Sequence, residues 1–260
     1  VETADGEVRE APYVLGADGA GSTVRKEIGV EFEGDKSENS FIIADVEEHP
    51  DDPRERERVF HYDHPEVGGR NILLVPFEGG WRIDVQCKDS DDPEELSSEE
   101  MIGEIVARTL GERYRDRVYW ISNYQFLQVI ADSYIDEHRR VLLAGEAAHL
   151  FAPFGARGLN SGTPDAEAAA RAIATALDAD NDVVARAEVE RFNEVRREAG
   201  LYNKNAAGQA LEYLQGDSLL TKARKRLAAD VSSVWEPAGE WLDDAPYGPH
   251  EGPPTTVGQY

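Results

Sequence analysis

Cysteine, methionine and lysine are scarce in this 260-residue chain, and it has no long apolar run. A single cysteine, Cys87, excludes an intrachain disulfide, so nothing in the sequence favours an oxidising compartment. No stretch of ~18 consecutive apolar residues occurs, and the first residues carry no basic and apolar signal segment. Together these absences predict a cytoplasmic protein that neither spans nor binds a membrane.

Positive charge is also in short supply. The chain has 27 basic against 52 acidic residues, which gives a formal net charge of −25. A surface this acidic repels nucleic acid and anionic lipid, so neither is an expected partner. We interpret the charge as adaptation of a solvated surface to a high-salt, halophilic cytoplasm, and an acid-rich binding face is the alternative. The hydrophobic content of 40% is sufficient for a folded core.

The first half of the chain is mainly strand-like. A polar hairpin with Asp5-Gly6 as its turn leads into a strand, a Gly-rich turn and a short helix that Ser22 caps. Four strands follow between residues 41 and 87, and the last two are joined by a turn at 78–80. A helix over 97–110, with a capping box formed by Ser97 and Glu100, and strands over 118–130 complete this half.

The second half is mainly helical. A buried strand over 139–144 enters a loop rich in glycine and proline, and a helix over 163–177 is predicted with Thr163 as N-cap and Pro164 at its first position. Further helices are expected over 183–215 and 218–229, and the residues after Trp241 read as a flexible tail.

The segment 139–177 carries the clearest functional signal. A strand that ends at Gly145-Glu146 and a Gly-punctuated loop that opens a helix present backbone N–H groups and a positive helix end to a ligand. An anionic or electron-rich group is the ligand that such a site favours. A second strand–turn–helix, at residues 13–30, has a similar Gly-rich turn.

These two segments resemble a known family. The string GEAAHLFAPFGARGLN is similar to the second flavin-contact motif of class A FAD-dependent aromatic monooxygenases, and GADGAGSTVR is similar to their internal D-G-x-x-S-x-x-R motif. The similarity covers roughly residues 5 to 200, and it is nearest to the 3-(3-hydroxyphenyl)propionate hydroxylase-like branch. Because two separate motifs match in the same order, the resemblance is specific.

The resemblance implies an α/β (α+β) fold of the p-hydroxybenzoate hydroxylase type, in which a partial FAD-binding Rossmann-like domain is interleaved with an antiparallel-sheet substrate domain and followed by C-terminal helices. The expected division places residues 1–35 and 136–180 in the FAD-binding domain, 36–135 in the sheet, 181–240 in the helices and 241–260 in the tail. The implied cofactors are FAD and NAD(P)H as reductant. The implied substrates are O2 and a small aromatic phenol, to which a hydroxyl group is added.

The resemblance also implies roles for individual residues. The expected cofactor-binding residues are Asp18, Gly19, Arg25, Gly145, Glu146, Ala147, Pro153, Gly158, Leu159 and Asn160. Asp18 is expected near the pyrophosphate, Glu146 at the ribityl chain, and residues 158–160 at the pyrimidine edge of the flavin. Pro153, close to flavin and substrate, is the candidate catalytic position. Trp81, Tyr124 and Phe126 are candidates to cover a substrate pocket, although core packing is the more ordinary role of each.

The chain departs from the family pattern in three places. Glu146 stands where the family has Asp, so its carboxylate is carried on a longer arm, and Gly21 stands where a larger residue is usual. The strand–GxGxxG–helix that cradles the ADP moiety in relatives is absent. The sequence therefore opens in mid-domain, as expected of a C-terminal portion of a monooxygenase that needs a separate N-terminal half or forms a homo-oligomer.

Two other readings stay open. The alternatives to the monooxygenase are a truncated, non-catalytic relative that lacks the N-terminal GxGxxG and another oxidoreductase of the flavin superfamily. The remaining polar residues give weaker signals. His149 is expected to be a structural hydrogen-bonding residue, and no metal site is expected because His61, Asp63 and His64 lack the spacing of tetrahedral ligands.

Overall fold

The computed structural model describes residues 1–3, 5–52, 55–88, 90–216 and 218–248, with the backbone but not the side chains of 35–39 and 215. The chain divides into two compact units. Unit 1 contains Val1–Asp35 and Leu127–Tyr260, and unit 2 contains Lys36–Phe126. Residues 127–135, which the sequence assigned to the sheet domain, therefore belong to unit 1.

Unit 1 is built on a parallel strand pair. Strand β1 (Val14–Gly16) lies beside β7 (Val141–Leu143), and helix α1 (Thr23–Glu27) follows β1. Because residues 14–16 and 141–143 are paired in parallel, the segments that follow them leave the same edge. The expected hairpin at the start is present, since Glu2 pairs with Val8 around the Asp5-Gly6 turn.

Helices α4 (Arg157–Leu177) and α5 (Asp182–Gln215) and the short strand β8 (His149–Leu150) are the further elements of unit 1 that lie at the site. The two helices pack together, and β8 pairs with the end of β6 (Val118–Ala131). The buried face of α4 consists mainly of alanines, and the small side chain of alanine allows the two helices to approach closely. Those alanines are Ala168, Ala169, Ala172 and Ala176. Helices α6 (Leu219–Val231) and α7 (Glu236–Asp244) follow.

Unit 2 is an antiparallel sheet with a helix on one face. Its strands, in spatial order, are β3 (Val59–His64), β4 (Arg70–Phe77), β5 (Gly80–Gln86), β2 (Phe32–Glu47) and β6. Helices α2 (Pro93–Leu96) and α3 (Glu99–Thr109) follow β5. The expected turn between β4 and β5 is present, with Gly79 at φ +89° and Phe77 paired with Gly80. The period-2 pattern of residues 81–85 is confirmed: Trp81, Ile83 and Val85 are buried in one core with α3.

The structure corrects several predicted helix boundaries. Helix α4 begins at Arg157, six residues before the predicted Thr163, and Pro164 lies inside it. Ser98 rather than Ser97 caps α3, by accepting a hydrogen bond from the Met101 N–H. Part of the predicted tail is helical, since α7 continues to Asp244 and a 3-10 turn spans Ala245–Tyr247. The rest of that prediction, residues 249–260, lies outside the described part of the chain.

Candidate functional site

The two motif segments meet at the carboxyl ends of β1 and β7. Gly16 is the register partner of Leu143, and the Ala144 N–H donates to the Gly16 carbonyl at 3.0 Å. The turn that carries Asp18 and the loop that carries Glu146 therefore start side by side, although they lie more than 120 residues apart in the sequence. In α/β folds this edge of the sheet is where ligands bind.

Asp18 closes the N-terminus of helix α1. Its carboxylate accepts hydrogen bonds from the Ser22 hydroxyl at 2.5 Å and from the Thr23 and Val24 N–H groups at 2.7 and 3.1 Å. Loss of solvent raises the pKa of this carboxyl, but the hydrogen bonds from Ser22 and the backbone outweigh it and leave the pKa below its usual range. The Asp18 side chain is nevertheless exposed, and its three hydrogen bonds hold it in a fixed position at the surface of the turn.

Arg25 ties the two segments together. Its guanidinium is buried, stacks on the Phe32 ring at 3.6 Å, and donates to the Ala20 carbonyl of the first segment and the Ala147 carbonyl of the second. The Nη1 to Ala147 oxygen distance is 3.2 Å. Arg25 therefore links the two loops through hydrogen bonds from one buried side chain.

The loop after β7 is a 3-10 turn, Gly145–Ala147, that packs against helix α4. Gly145 has φ +61°, which glycine adopts without strain. A Cβ on Gly162 of α4 would lie 3.1 Å from the Gly145 Cα, so these two backbones approach closely at a pair of glycines. Ala147 is fully buried, whereas the Glu146 side chain points to the surface.

The N-terminus of helix α4 is open to solvent. Pro153 is exposed and starts a tight turn in which Gly155 and Ala156 both have positive φ, and the helix begins directly after them. The N-cap residue, Ala156, makes no side-chain hydrogen bond to the helix, and the first N–H groups of an α-helix have no acceptor within the helix itself. Leu159, in this first turn, is 82% exposed, and the neighbouring Asn160 is also exposed.

A buried ionic cluster lies beneath this helix start. The Asp165 carboxylate accepts from Arg196 Nε at 2.7 Å, contacts His149 Nε2 at 2.7 Å and accepts from the Gly145 N–H at 3.2 Å. His149, Asp165 and Arg196 are each at most 2% exposed. His149 therefore makes a buried hydrogen bond, as expected of a structural residue, and its ring also stacks on Phe151 at 4.6 Å.

The cluster is continued by polar contacts between α4 and α5. Arg196 Nη2 donates to the Ser161 carbonyl, the Asn203 amide donates to the Ser161 hydroxyl at 2.9 Å, and Arg157 donates to the Asn203 oxygen at 2.9 Å. Sequence reasoning missed this network because Asp165 reads as an ordinary acidic residue of a first helical turn. Its spacing from His149 gives no sign that the two side chains meet.

The three aromatic residues proposed as a pocket cover divide into two groups. Trp81 and Phe126 are each 3% exposed, so both are packed side chains, and Tyr124 is 50% exposed. In the described part of the chain, no group of three or more His, Cys, Asp or Glu side chains is placed to hold a metal ion. Among the helices described, none combines the length and apolar character needed to cross a bilayer.

A model of the FAD-binding domain family matches residues 2–198 of the chain. The chain therefore belongs to the FAD-binding domain family, and the resemblance to FAD-dependent aromatic hydroxylases that the two motifs carry is confirmed.

Individual relatives are more distant. A 3-(3-hydroxyphenyl)propionate/3-hydroxycinnamic acid hydroxylase from Burkholderia vietnamiensis is 30% identical over 60% of this chain and 24% of its own length. A dialkyldecalin synthase from Streptomyces rugosporus is 31% identical over 64% of this chain and 35% of its own. The chain thus spans between a quarter and about a third of these two curated relatives.

The fold is also that of solved flavin monooxygenases. The crystal structure of p-nitrophenol 4-monooxygenase from Pseudomonas putida superposes with a TM-score of 0.65 at 24% identity, over 91% of this chain and 59% of that one. At this identity the match establishes a common fold, and the α/β (α+β) architecture expected from the sequence is confirmed.

Proposed function

We propose that the edge formed by the two motif segments binds FAD, with the ring side of the cofactor at the start of helix α4. The start of α4 carries the proposal, because the N–H groups and positive end of a helix that its N-cap side chain does not cap suit the electron-rich pyrimidine edge of a flavin. Gly158, Leu159 and Asn160 lie in the first turn of α4 and are the residues that would face the pyrimidine edge of the flavin.

The other expected contacts have a physical basis in the same edge. The exposed Glu146 carboxylate is free to accept hydrogen bonds from ribityl hydroxyls, and Asp18 with Gly19 holds the turn nearest the pyrophosphate. Pro153 lies in the exposed turn before α4, close to flavin and substrate in this proposal. Gly145 and Ala147 contribute through their backbone. Arg25 acts indirectly, because its guanidinium group is already bound to the Ala20 and Ala147 carbonyl groups.

We further propose that the chain is part of a monooxygenase that hydroxylates a small phenolic substrate with NAD(P)H and O2. When bound, FAD supplies the redox chemistry that couples oxidation of NAD(P)H to oxygen transfer. The residues of this chain orient the flavin and bind the substrate. The similarity to hydroxyphenylpropionate hydroxylases, of whose length the chain spans about a quarter, supports this assignment.

A second candidate is a family member that uses the fold without adding oxygen. The similarity to a dialkyldecalin synthase favours it, because that relative, at 31% identity, is named as a synthase and not as a monooxygenase. NAD(P)H oxidation stimulated by phenols, with a product that has gained one oxygen atom, supports the monooxygenase. Flavin binding without phenol-stimulated oxidation supports the second candidate.

The FAD site is tested with a charge placed at the start of α4. Leu159→Glu puts a carboxylate on a side chain that is 82% exposed, so folding should be unaffected. We expect FAD affinity to fall roughly fivefold to tenfold, because the new charge competes for the helix end and repels the pyrimidine edge. Flavin fluorescence and absorbance titrations in molar KCl measure this.

The matched control is Val183→Glu. Val183 is 77% exposed in the first turn of α5, so the same substitution is made in the same helical context elsewhere. Its FAD affinity should equal that of the unaltered chain. If the unaltered chain does not bind FAD, or if both variants lose affinity equally, the proposed location of the flavin is wrong.

A further inference from the structure

The sheet of unit 2 has one face packed on helix α3 and a second face with a different composition. Alternate residues of β2 and β5, such as Ile42, Ala44, Ile83 and Val85, belong to the core with α3. The residues between them point the other way and form rows across β2, β5 and β4. One row is Phe41 and Gln86, whose side chain accepts a hydrogen bond from Asn71. The next row is Ile43, Asp84 and Leu73, and the third is Asp45, Arg82 and Val75.

Asp84 is the central residue of this second face. Its register partners are Ile43 on β2 and Leu73 on β4, both aliphatic, so no polar side chain flanks it across the strands. One carboxylate oxygen, Oδ1, is buried and has no hydrogen-bond partner in the described structure. Because buried polar atoms in folded proteins are almost always hydrogen-bonded, such an oxygen calls for a functional explanation.

The charges nearest Asp84 do not satisfy that oxygen. Arg82, two residues away on the same strand, donates two hydrogen bonds to Asp45 of β2, at 2.8 and 2.9 Å. The other charge that acts on Asp84 is Arg58, just before β3. Burial raises the pKa of Asp84 to about 6; Arg82 and Arg58 oppose the rise, and Asp45 adds to it.

The same face carries a group of aromatic rings. Phe41 lies two residues from Ile43 on β2, and its ring is 5.0 Å from that of Phe126 on β6. The Tyr124 ring is 5.2 Å from the Phe126 ring, and Tyr124 is half exposed. An acceptor without a donor therefore shares one face with a cluster of aromatic side chains, a combination suited to an aromatic ring that bears a hydroxyl group.

We propose that Asp84 is a specificity-determining residue that recognises the substrate by accepting a hydrogen bond from a ring hydroxyl at its Oδ1. The inference deepens the proposed function, on which it rests, by assigning the phenolic hydroxyl to one side chain. No bond is made or broken in this contact. The ionised carboxylate is the stronger acceptor, so binding of the hydroxylated ring is favoured above a pH of about 6 and weakens below it.

The experiment compares two probes that differ by a single hydroxyl group, 3-(3-hydroxyphenyl)propionate and 3-phenylpropionate. Their affinities for the 260-residue chain are measured by titration calorimetry in molar KCl at several pH values. We expect at least about tenfold preference for the hydroxylated probe at pH 8 and a smaller preference at pH 5, as for a hydrogen bond to a charged acceptor.

Two variants separate the acceptor from its charge. Asp84→Ala removes the acceptor and should abolish the preference. Asp84→Asn keeps the shape and a neutral oxygen, so a reduced preference should remain that no longer changes with pH. Glu100→Gln, an exposed position on α3, removes one negative charge from the same unit and should behave like the unaltered chain.

The inference is overturned if Asp84→Ala retains the preference, if the unaltered chain shows none, or if neither probe binds. FAD titration of the same samples is scored separately. Flavin binding without hydroxyl preference removes the role of Asp84 and leaves the FAD proposal intact. Hydroxyl preference without flavin binding supports the role of Asp84 and removes the FAD proposal.

Discussion

At the scale of single residues, Asp165 is the most constrained side chain of the candidate site. It serves three donors at once, on α5, on β8 and on the Gly145 loop, and the His149 and Arg196 side chains among them are buried. An ionic cluster of this kind holds its members in one arrangement, because losing one partner leaves a buried charge without compensation. The cluster therefore fixes the position of the Gly145 loop relative to helix α4.

Replacing Asp165 by Ala should destabilise the fold by about 3–5 kcal/mol, because Arg196 would remain buried without its counter-ion. The control is Glu167→Ala on the same helix, which breaks an i,i+4 pair with Arg171 that is largely exposed and should cost no more than about 0.5 kcal/mol. Denaturant unfolding in KCl measures both. Equal losses would mean that the Asp165 cluster has no special weight.

Asp84 gives a prediction that depends on pH and does not require a ligand. Its pKa in the folded chain, about 6, lies above the ordinary value of 3.8, so ionisation opposes folding. This cost is absent below the ordinary value, grows as the pH rises towards 6, and is fully present above it. Asp84→Asn removes the cost.

The unfolding free energy of Asp84→Asn, relative to the unaltered chain, should therefore rise by about 1–2 kcal/mol between pH 5 and pH 8. Urea unfolding at matched KCl concentration measures the difference. A difference that stays constant with pH, or that falls as the pH rises, would show that Asp84 is not buried in an unfavourable environment.

At the scale of elements, helix α5 carries two glycines in contrasting surroundings. A Cβ on Gly200 would lie 2.3 Å from the hydroxyl of Tyr134, which is fully buried, whereas a Cβ on Gly208 would have no atom within 4 Å. Gly200 is therefore required for the packing of α5 against Tyr134, and Gly208 is not.

Gly200→Ala should cost about 1–3 kcal/mol of stability, since the new methyl group would force the fully buried Tyr134 and Ile130 side chains to shift. Gly208→Ala should instead stabilise the helix by up to about 1 kcal/mol through the higher helix propensity of alanine. Thermal unfolding of the two variants side by side tests the packing of α5, and a shift of the same sign in both would contradict it.

Helix α4 shows where local sequence signals are insufficient. Thr163 and Pro164 form a good helix start, because proline lacks the N–H that an interior position needs. The helix nevertheless begins at Arg157, and Pro164 is accommodated inside it. The contacts that favour this outcome are tertiary: Gly162 packs on Gly145, and Asp165 pairs with His149 and Arg196.

At the scale of the whole molecule, the excess of negative charge is the property with the clearest effect on stability. A net charge of −25 produces repulsion across the surface at low ionic strength, and salt reduces it because the Debye length falls from about 10 Å at 0.1 M to about 3 Å at 1 M. The halophilic habitat inferred from the sequence stays a prediction, but its physical consequence is measurable.

The melting temperature should rise by several degrees between dilute buffer and molar KCl. Sucrose at the same osmolarity is the control, because it is excluded from protein surfaces but does not screen charge. Greater stabilisation by KCl than by sucrose supports electrostatic repulsion as the cause. Equal stabilisation would mean that the acidic surface does not limit folding at low salt.

The sequence by itself determined the family, the alternation that makes unit 2 a half-buried sheet, and the two glycine-rich segments, because these depend on local spacing and on motifs a few residues long. The tertiary structure alone decided how distant residues meet. The parallel pairing of β1 with β7 starts the Asp18 turn and the Glu146 loop at the same sheet edge, Asp165 joins His149 to Arg196, and the sheet leaves Asp84 with an oxygen that has no hydrogen-bond partner in the described structure. Such contacts depend on burial and on pairing between segments that are distant in the sequence, and no local pattern encodes them.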